Sequence, residues 1–198
     1  MTYQDIINKR RSVYALNHQL PVSEDEVLTR IKDALVASPS AFNMQSAHAL
    51  ILLGEQHKTL WNDIVTKTLQ AIVPAENFEP TQQKMNMFAA AYGTVLFFED
   101  DEVVSNMKEQ FATYADAFDT FAAHGQGIAH VNVWNSLAEV GVGANLQHYN
   151  PIIDDAVRER WSVPANWQLK AQLVFGGIEG APGTQERMSA DERIRIER

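Results

Sequence analysis

Apolar positions along this chain recur with two different periods, and the changes between them divide it into elements. Ile6, Ile7 and Arg10 fall at helical spacing, which predicts a short helix over Tyr3 to Arg10. Asn17 to Val22 is a loop with Pro21. Ser23-Glu24-Asp25-Glu26 then opens a second helix: Ser23 can accept the amide three residues on, Glu26 can reach back, and the early acids suit the positive end of the helix dipole. Its apolar face is Val27, Leu28, Ile31, Leu35 and Val36, and Pro39 lies just past its end. His48 to Gly54 is a continuous apolar run, predicting a buried strand. Trp61, Ile64, Val65, Leu69 and Ile72 return to helical spacing. Pro74 and Pro80 bracket a connection, and Met85 to Tyr92 reads as helix.

Gly93 to Phe98 is the second clear buried strand. Asp101 to Gln110, Phe111 to Ala123 and Gln126 to Val140 read as helices, the last packing Ile128, Val131, Trp134 and Leu137 inward. Asn145 to Asn150 is a polar segment between Gly143 and Pro151. Pro151 starts a helix carrying Val157 and Trp161. Trp167 to Phe175 is a strand that Gly176-Gly177 ends. No repeat or linker divides the chain, and interleaved helices and strands give an α+β class over a single domain, residues 1–198. Residues 177–198 form an extended C-terminal arm. In Arg193-Ile194-Arg195-Ile196-Glu197-Arg198 apolar and charged residues alternate with period two, which fits either a strand reaching a sheet edge on another subunit or a frayed tail.

Composition narrows the partners. The 198 residues are 45% hydrophobic, enough for a substantial core, and carry a net charge of −9 with a pI near 5.1. A nucleic-acid partner is not expected, because neutralising its backbone needs a basic surface, whereas a local pair of arginines suffices for one phosphorylated small molecule. Cysteine is absent, which removes disulfides, thiolate metal sites and a cysteine nucleophile. The start of the chain lacks a secretory pattern, and no apolar stretch approaches the roughly 18–20 residues that span a bilayer. A soluble, cytoplasmic protein is expected.

Two segments carry candidate chemistry. Arg10 and Arg11 stand beside Ser12 where a short helix ends; planar, permanently charged guanidiniums match phosphate geometry, although a basic turn closing a helix is the plainer account. Ser38 to Ser46 is crowded with small polar groups, and Ser40, Asn43 and Gln45 can donate and accept at the edge of a flat heteroaromatic ring; a polar turn after a helix is the plainer account, weakened by the buried strand that follows. Gly141-Val142-Gly143-Ala144-Asn145-Leu146 starts like a dinucleotide fingerprint but lacks the third glycine and follows a helix; a turn exposing backbone N–H groups beside Asn145, Gln147 and His148 is expected instead. Glu99-Asp100-Asp101-Glu102 reads as a helix cap, and the histidines show no metal spacing. Phe111, Tyr114, Phe118 and Phe121 form a helical stripe, either core or a lid over a flat ligand.

These blocks, in order, carry a resemblance. Asn8 to Leu16, Ser38 to Ser46, Trp134 to Pro151 and Trp167 to Gly176 together resemble the FMN-dependent nitroreductase family, in the branch named after the fatty-acid repression mutant protein. The resemblance implies a central, mainly antiparallel sheet surrounded by helices, and a homodimer that exchanges C-terminal arms and holds two FMN sites at its interface. It implies that Arg10, Arg11 and Ser12 bind the FMN phosphate and ribityl chain, with Arg187 completing that site. Ser40, Asn43 and Gln45 would approach the flavin from the opposing subunit. The turn around Gly143, Ala144 and Asn145 would offer an N–H to flavin N5, with Gln147 nearby. Tyr14 stands where the commoner pattern has a second basic residue, and the segment from Gly143 to Asn150 replaces the family's usual N5 loop.

The implied reaction is hydride transfer from NAD(P)H through flavin N5 to a small-molecule electron acceptor, nitroaromatic or quinone-like. The cofactor does the chemistry and the protein positions it. A flavin-binding redox sensor with incidental turnover, and a flavin-free interaction protein on the same scaffold, stand as alternatives.

Overall fold

The computed structural model describes residues 2–198. Its sheet contains β1 (Leu16–Asn17), β2 (Ala47–Leu53), β3 (Gly93–Asp100), β4 (Gly143–Gln147) and β5 (Trp167–Ile178). Every pairing is antiparallel. The long β5 pairs with β3 along one edge and with β4 and then β1 along the other, while β2 lies outside β3. Lying between two neighbours, β3 is buried at all its positions, as its unbroken apolar run predicts. Side chains alternate across it. Leu96 and Phe98 join Leu52, Trp61 and Phe88 on one face, and Val95 and Phe97 join Ile31, Val133 and Leu137 on the other.

The helices are α1 (Tyr3–Lys9), α2 (Glu24–Val36), α3 (Gly54–Lys58), α4 (Thr66–Gln70), α5 (Glu79–Ala89), α6 (Asp101–Gln110), α7 (Phe118–Glu139), α8 (Asp154–Trp161) and α9 (Ala190–Arg193). A π-helical segment, Thr59–Val65, joins α3 to α4. Together with α5 and α8 it covers one sheet face, and α2 and α7 cover the other. The antiparallel sheet between helices is the α+β architecture that the sequence predicts.

Several expectations need correction. Pro80 sits in the first turn of α5, where its missing N–H has no helical partner to lose. Residues 112–117 form 3₁₀ turns, and α7 runs unbroken from Phe118 through two glycines. Its core-facing line is Ala122, Gln126, Ala129, Val133 and Leu137, whereas Val131 is 40% exposed. Apolar residues lie on both faces of this helix, so periodicity could not tell inside from outside.

Gly143 to Gln147 is a strand and not a turn; the turn falls at Gly141, with φ +81°. A Cβ on Gly143 would stand 2.7 Å from both Ile178 Cγ1 and Leu16 Cδ2, so close strand packing explains that glycine. The strand β5 continues through Gly176 and Gly177 to Ile178, because β1 packs against them where side chains would clash with the Asn17 and Gln19 carbonyls. Helix α8 begins at Asp154, three residues after Pro151. In the tail, Ser189 and Glu192 cap a helical turn, and Ile194 and Ile196 beyond it are exposed and unpaired with any strand of this chain.

Candidate functional site

Helix α1 ends because Arg10 turns to extended geometry while its N–H still donates to Ile6 O at 2.9 Å. The chain then runs beside β4. Val13 N donates to Ala144 O at 2.9 Å, and Ser12 bridges to Ala144. Asn145 Nδ2 donates to Val13 O at 2.9 Å, and Gln147 Nε2 donates to Asn145 Oδ1 at 2.8 Å. Both amides are buried, and they tie β4 to the arginine segment.

The Arg10 guanidinium lies 4.6 Å from the ring centroid of Trp134 on α7. Arg11 Nη2 donates to Gly183 O at 2.7 Å, drawing the arm back across the molecule. Arg187 is thereby brought within electrostatic range of Arg10. Burial, followed by the charges of Arg187 and Arg11, lowers the Arg10 pKa from its ordinary value. Among the described residues no carboxylate pairs with any of the three. Like charges gathered without a counterion raise the local positive potential, and the planar guanidinium fork is a geometry that matches phosphate oxygens.

A second group lies on the loop before β2. Phe42, Asn43 and Gln45 all have left-handed φ, at 55°, 52° and 51°. Such geometry costs on the order of 1–3 kcal/mol per residue and persists only where contacts enforce it. Here Gln45 N donates to Ser40 Oγ at 2.9 Å, and Gln45 Nε2 donates to Asn43 O at 3.3 Å. The tight loop turns Phe42 onto Phe111 at 4.7 Å and Phe118 at 5.3 Å between ring centroids, with Tyr114 at 5.9 Å. Phe118 is fully buried, while Phe42 and Tyr114 remain about half exposed. The predicted aromatic stripe is therefore core at one end and an open apolar ledge at the other.

The structure brings together Arg10, Arg11, Ser12, Arg187 and the strand Gly143–Gln147. Ser40, Asn43 and Gln45 stand elsewhere on the same chain. Ser40 packs by Gly125 of α7 and Arg10 by Trp134, nine residues further on, or about 14 Å along the helix axis.

Sequence reasoning missed three residues. Trp134 packs against the core as its helical spacing predicts, but nothing in that spacing signals that its ring also lies under Arg10. Phe42 carried no sign that it would join the stripe. In the acidic run Asp100 caps α6, accepting from Glu102 N at 3.0 Å and Val103 N at 3.2 Å, but Glu99 turns inward and is buried. Burial opposes the Asp100 charge, but the Asn166 amide and those two N–H groups outweigh it and hold its carboxyl below the usual range. The alternation of a strand reaching Asp100 was the available signal for Glu99.

An antiparallel sheet of this topology, covered by helices on both faces, is the architecture of a known class. Residues 7–177 match the profile of the Nitroreductase family, and the chain belongs to that family. It is similar to HBN1 of Saccharomyces cerevisiae, at 36% identity over 195 residues, covering 98% of this chain and 96% of that protein. It is also similar to the nitroreductase FRM2 of the same organism, 35% identical over 176 residues and covering 88% and 86% of the two chains, which bears out the predicted branch. Nitroreductase CinD from Lactococcus lactis, solved in complex with nicotinic acid, is 45% identical over the whole of both chains with a TM-score of 0.93. Its complex with 4-nitrophenol matches at 44% over both whole chains with a TM-score of 0.92.

Proposed function

We propose that this chain is an FMN-dependent NAD(P)H oxidoreductase that works as a homodimer and reduces nitroaromatic or quinone-like acceptors. The observation that carries the reading is the gathering of Arg10, Arg11 and Arg187 with no carboxylate paired to them among the described residues. That donor set fits a phosphate monoester. Bound FMN would supply two-electron transfer between a nicotinamide and the acceptor.

The residues of the chain have separate tasks in this reading. The three guanidiniums hold the phosphate, and the exposed Ser12 hydroxyl adds a neutral donor. Trp134 fixes the direction of Arg10. Gly143, Ala144 and Asn145 form the wall beside the arginines, kept in place by the Asn145–Val13 and Gln147–Asn145 bonds, and the backbone of that strand is the candidate contact for the flavin ring. The ledge of Phe42 and Tyr114 offers apolar rings to a flat acceptor. CinD, solved in complex with 4-nitrophenol and with nicotinic acid, holds flat aromatic molecules of both kinds, which supports this reading.

A second copy supplies Ser40, Asn43 and Gln45 to each site. The outer face of α7, with Val131 exposed, is apolar enough to need cover, and the exposed Ile194 and Ile196 suit an arm that crosses to the partner. Among the described residues no helix is long and apolar enough to cross a membrane. The proposed setting is the cytoplasm.

The test is direct. Protein incubated with FMN and desalted should be yellow, and NADH or NADPH should bleach it under anaerobic conditions, with 4-nitrophenol or a quinone restoring the colour. Protein that stays colourless would sink the proposal. Bound flavin that neither nicotinamide bleaches would mark a redox sensor instead.

A further inference from the structure

A cavity of about 380 Å³ opens between α6, α7 and the facing ends of β3 and β5, and it shares no residue with the arginine cluster or the Ser40 loop. Its floor is polar. Glu99 and Gln126 line it at 3% and 5% exposure. Gln126 Nε2 donates to Phe98 O at 2.9 Å and to Glu99 Oε2 at 2.8 Å. Both partners can only accept, so the orientation of the amide is settled and its Oε1 is left as an acceptor. Glu99 Oε1, Gln126 Oε1 and His130 Nε2 have no hydrogen-bond partner among the described residues. Burial, then the nearby His148, pushes the His130 pKa down to about 4, so its ring is neutral near pH 7 and can present an acceptor nitrogen.

The rim is mixed in charge. Asp101 and Asp119 line the mouth, with Lys108 paired to Asp119 at 2.6 Å. Lys170 lines it too, because a bulge in β5 shifts the register from Phe97↔Ala171 to Phe98↔Leu169 and leaves Lys170 unopposed. Three unpartnered acceptors, one of them a carboxylate oxygen, call for a positively charged donor. A metal ion suits the site less well, since no group of three His, Asp or Glu among the described residues could hold one.

We propose that this cavity binds a primary organic ammonium, whose three N–H donors meet Glu99, Gln126 and His130 while a small apolar body lies against Val104 and Ala122. The inference is independent of the flavin reading, and its test needs no turnover. Benzylammonium chloride, with benzyl alcohol as the neutral isostere, is titrated into the full-length protein and followed by calorimetry. Saturable binding of the cation is expected, at least tenfold tighter than any binding of the alcohol. Glu99→Gln should weaken it tenfold or more. Should that variant fold poorly, Ala123→Trp decides: Ala123 is exposed at the mouth, on the side of α7 that also carries Val131, and a large ring there should block binding while sedimentation and the circular dichroism spectrum stay those of the native chain. No saturable binding, equal affinity for cation and alcohol, or binding that survives Ala123→Trp overturns the proposal.

Discussion

Trp134 lies flat beneath the charge of Arg10, 4.6 Å from ring centroid to guanidinium carbon, on the helix that also packs the Ser40 loop. A cation over an indole face gains about 0.5–1 kcal/mol, more where water is excluded. This contact helps hold a partly buried arginine next to two others, despite their mutual repulsion.

The first prediction separates holding the charge from aiming it. Arg10→Ala removes charge-assisted hydrogen bonds worth about 1.5–3 kcal/mol each, so FMN affinity should fall about 10- to 100-fold. Trp134→Leu keeps the charge and should cost only about two- to fivefold. Quenching of FMN fluorescence on titration reads both. Equal losses would show that the indole does more than orient.

Beside its proposed contact with the phosphate, Arg11 has a second task, because its Nη2 bonds Gly183 O. Lysine keeps the charge but loses the planar fork that serves both partners. Arg11→Lys should therefore loosen the arm, and limited trypsin cleavage after the exposed Arg187 should speed up several-fold. An unchanged cleavage rate would mean that the Gly183 contact does not hold the arm.

The ledge at Phe42 predicts a split between kinetic constants. Phe42→Ala removes the exposed ring and its pairing with Phe111 and Tyr114, and KM for nitroaromatics should rise about tenfold with little change in kcat. Phe42→Tyr should restore most of the loss. A fall in kcat at constant KM would assign the ring to something other than substrate binding.

Acid should weaken the fold through His57. Phe88 O can only accept, so His57 Nε2 carries the proton and donates to it at 3.1 Å, while Nδ1 accepts from the Thr94 hydroxyl at 2.9 Å and Trp61 donates to that same hydroxyl at 2.9 Å. Burial, opposed only in part by the Phe88 and Ala89 carbonyls, lowers the His57 pKa from 6.5 to about 4. The unfolded chain therefore takes up this proton first. The contribution is complete above pH 6.5 and is lost as pH falls towards about 4, amounting to roughly 3 kcal/mol. Urea unfolding between pH 7 and pH 4 should show a shallower decline for His57→Gln than for the native chain; parallel curves would exclude His57 as the cause.

The proposed homodimer is tested at Val131, on the outer face of α7 and 40% exposed. Val131→Asp should shift sedimentation towards the monomer and weaken FMN binding together. A monomeric variant that binds FMN as tightly as before would locate the whole site within one chain.

Periodicity and continuity alone were enough to place β2, β3, most of β5 and the body of α2, because those patterns are written in neighbouring residues. The same holds for Arg10 and Arg11 at the end of α1, since the termination of that helix is a local event. Other features depended on distant partners. The short, polar strand Gly143–Gln147 exists because β5 offers it an edge, and α7 shows one apolar face to the sheet only because the sheet lies on that side. Glu99 and Asp100 are adjacent acids with opposite fates, one beneath Gln126 and one capping α6. Arg187 reaches the arginine cluster from far along the chain, on an arm tied down at Glu179 by Ala15 O and at Gly183 by Arg11. Local pattern determines which conformation a segment prefers; which side is buried, and which charges meet, is decided when the folded chain brings remote segments together.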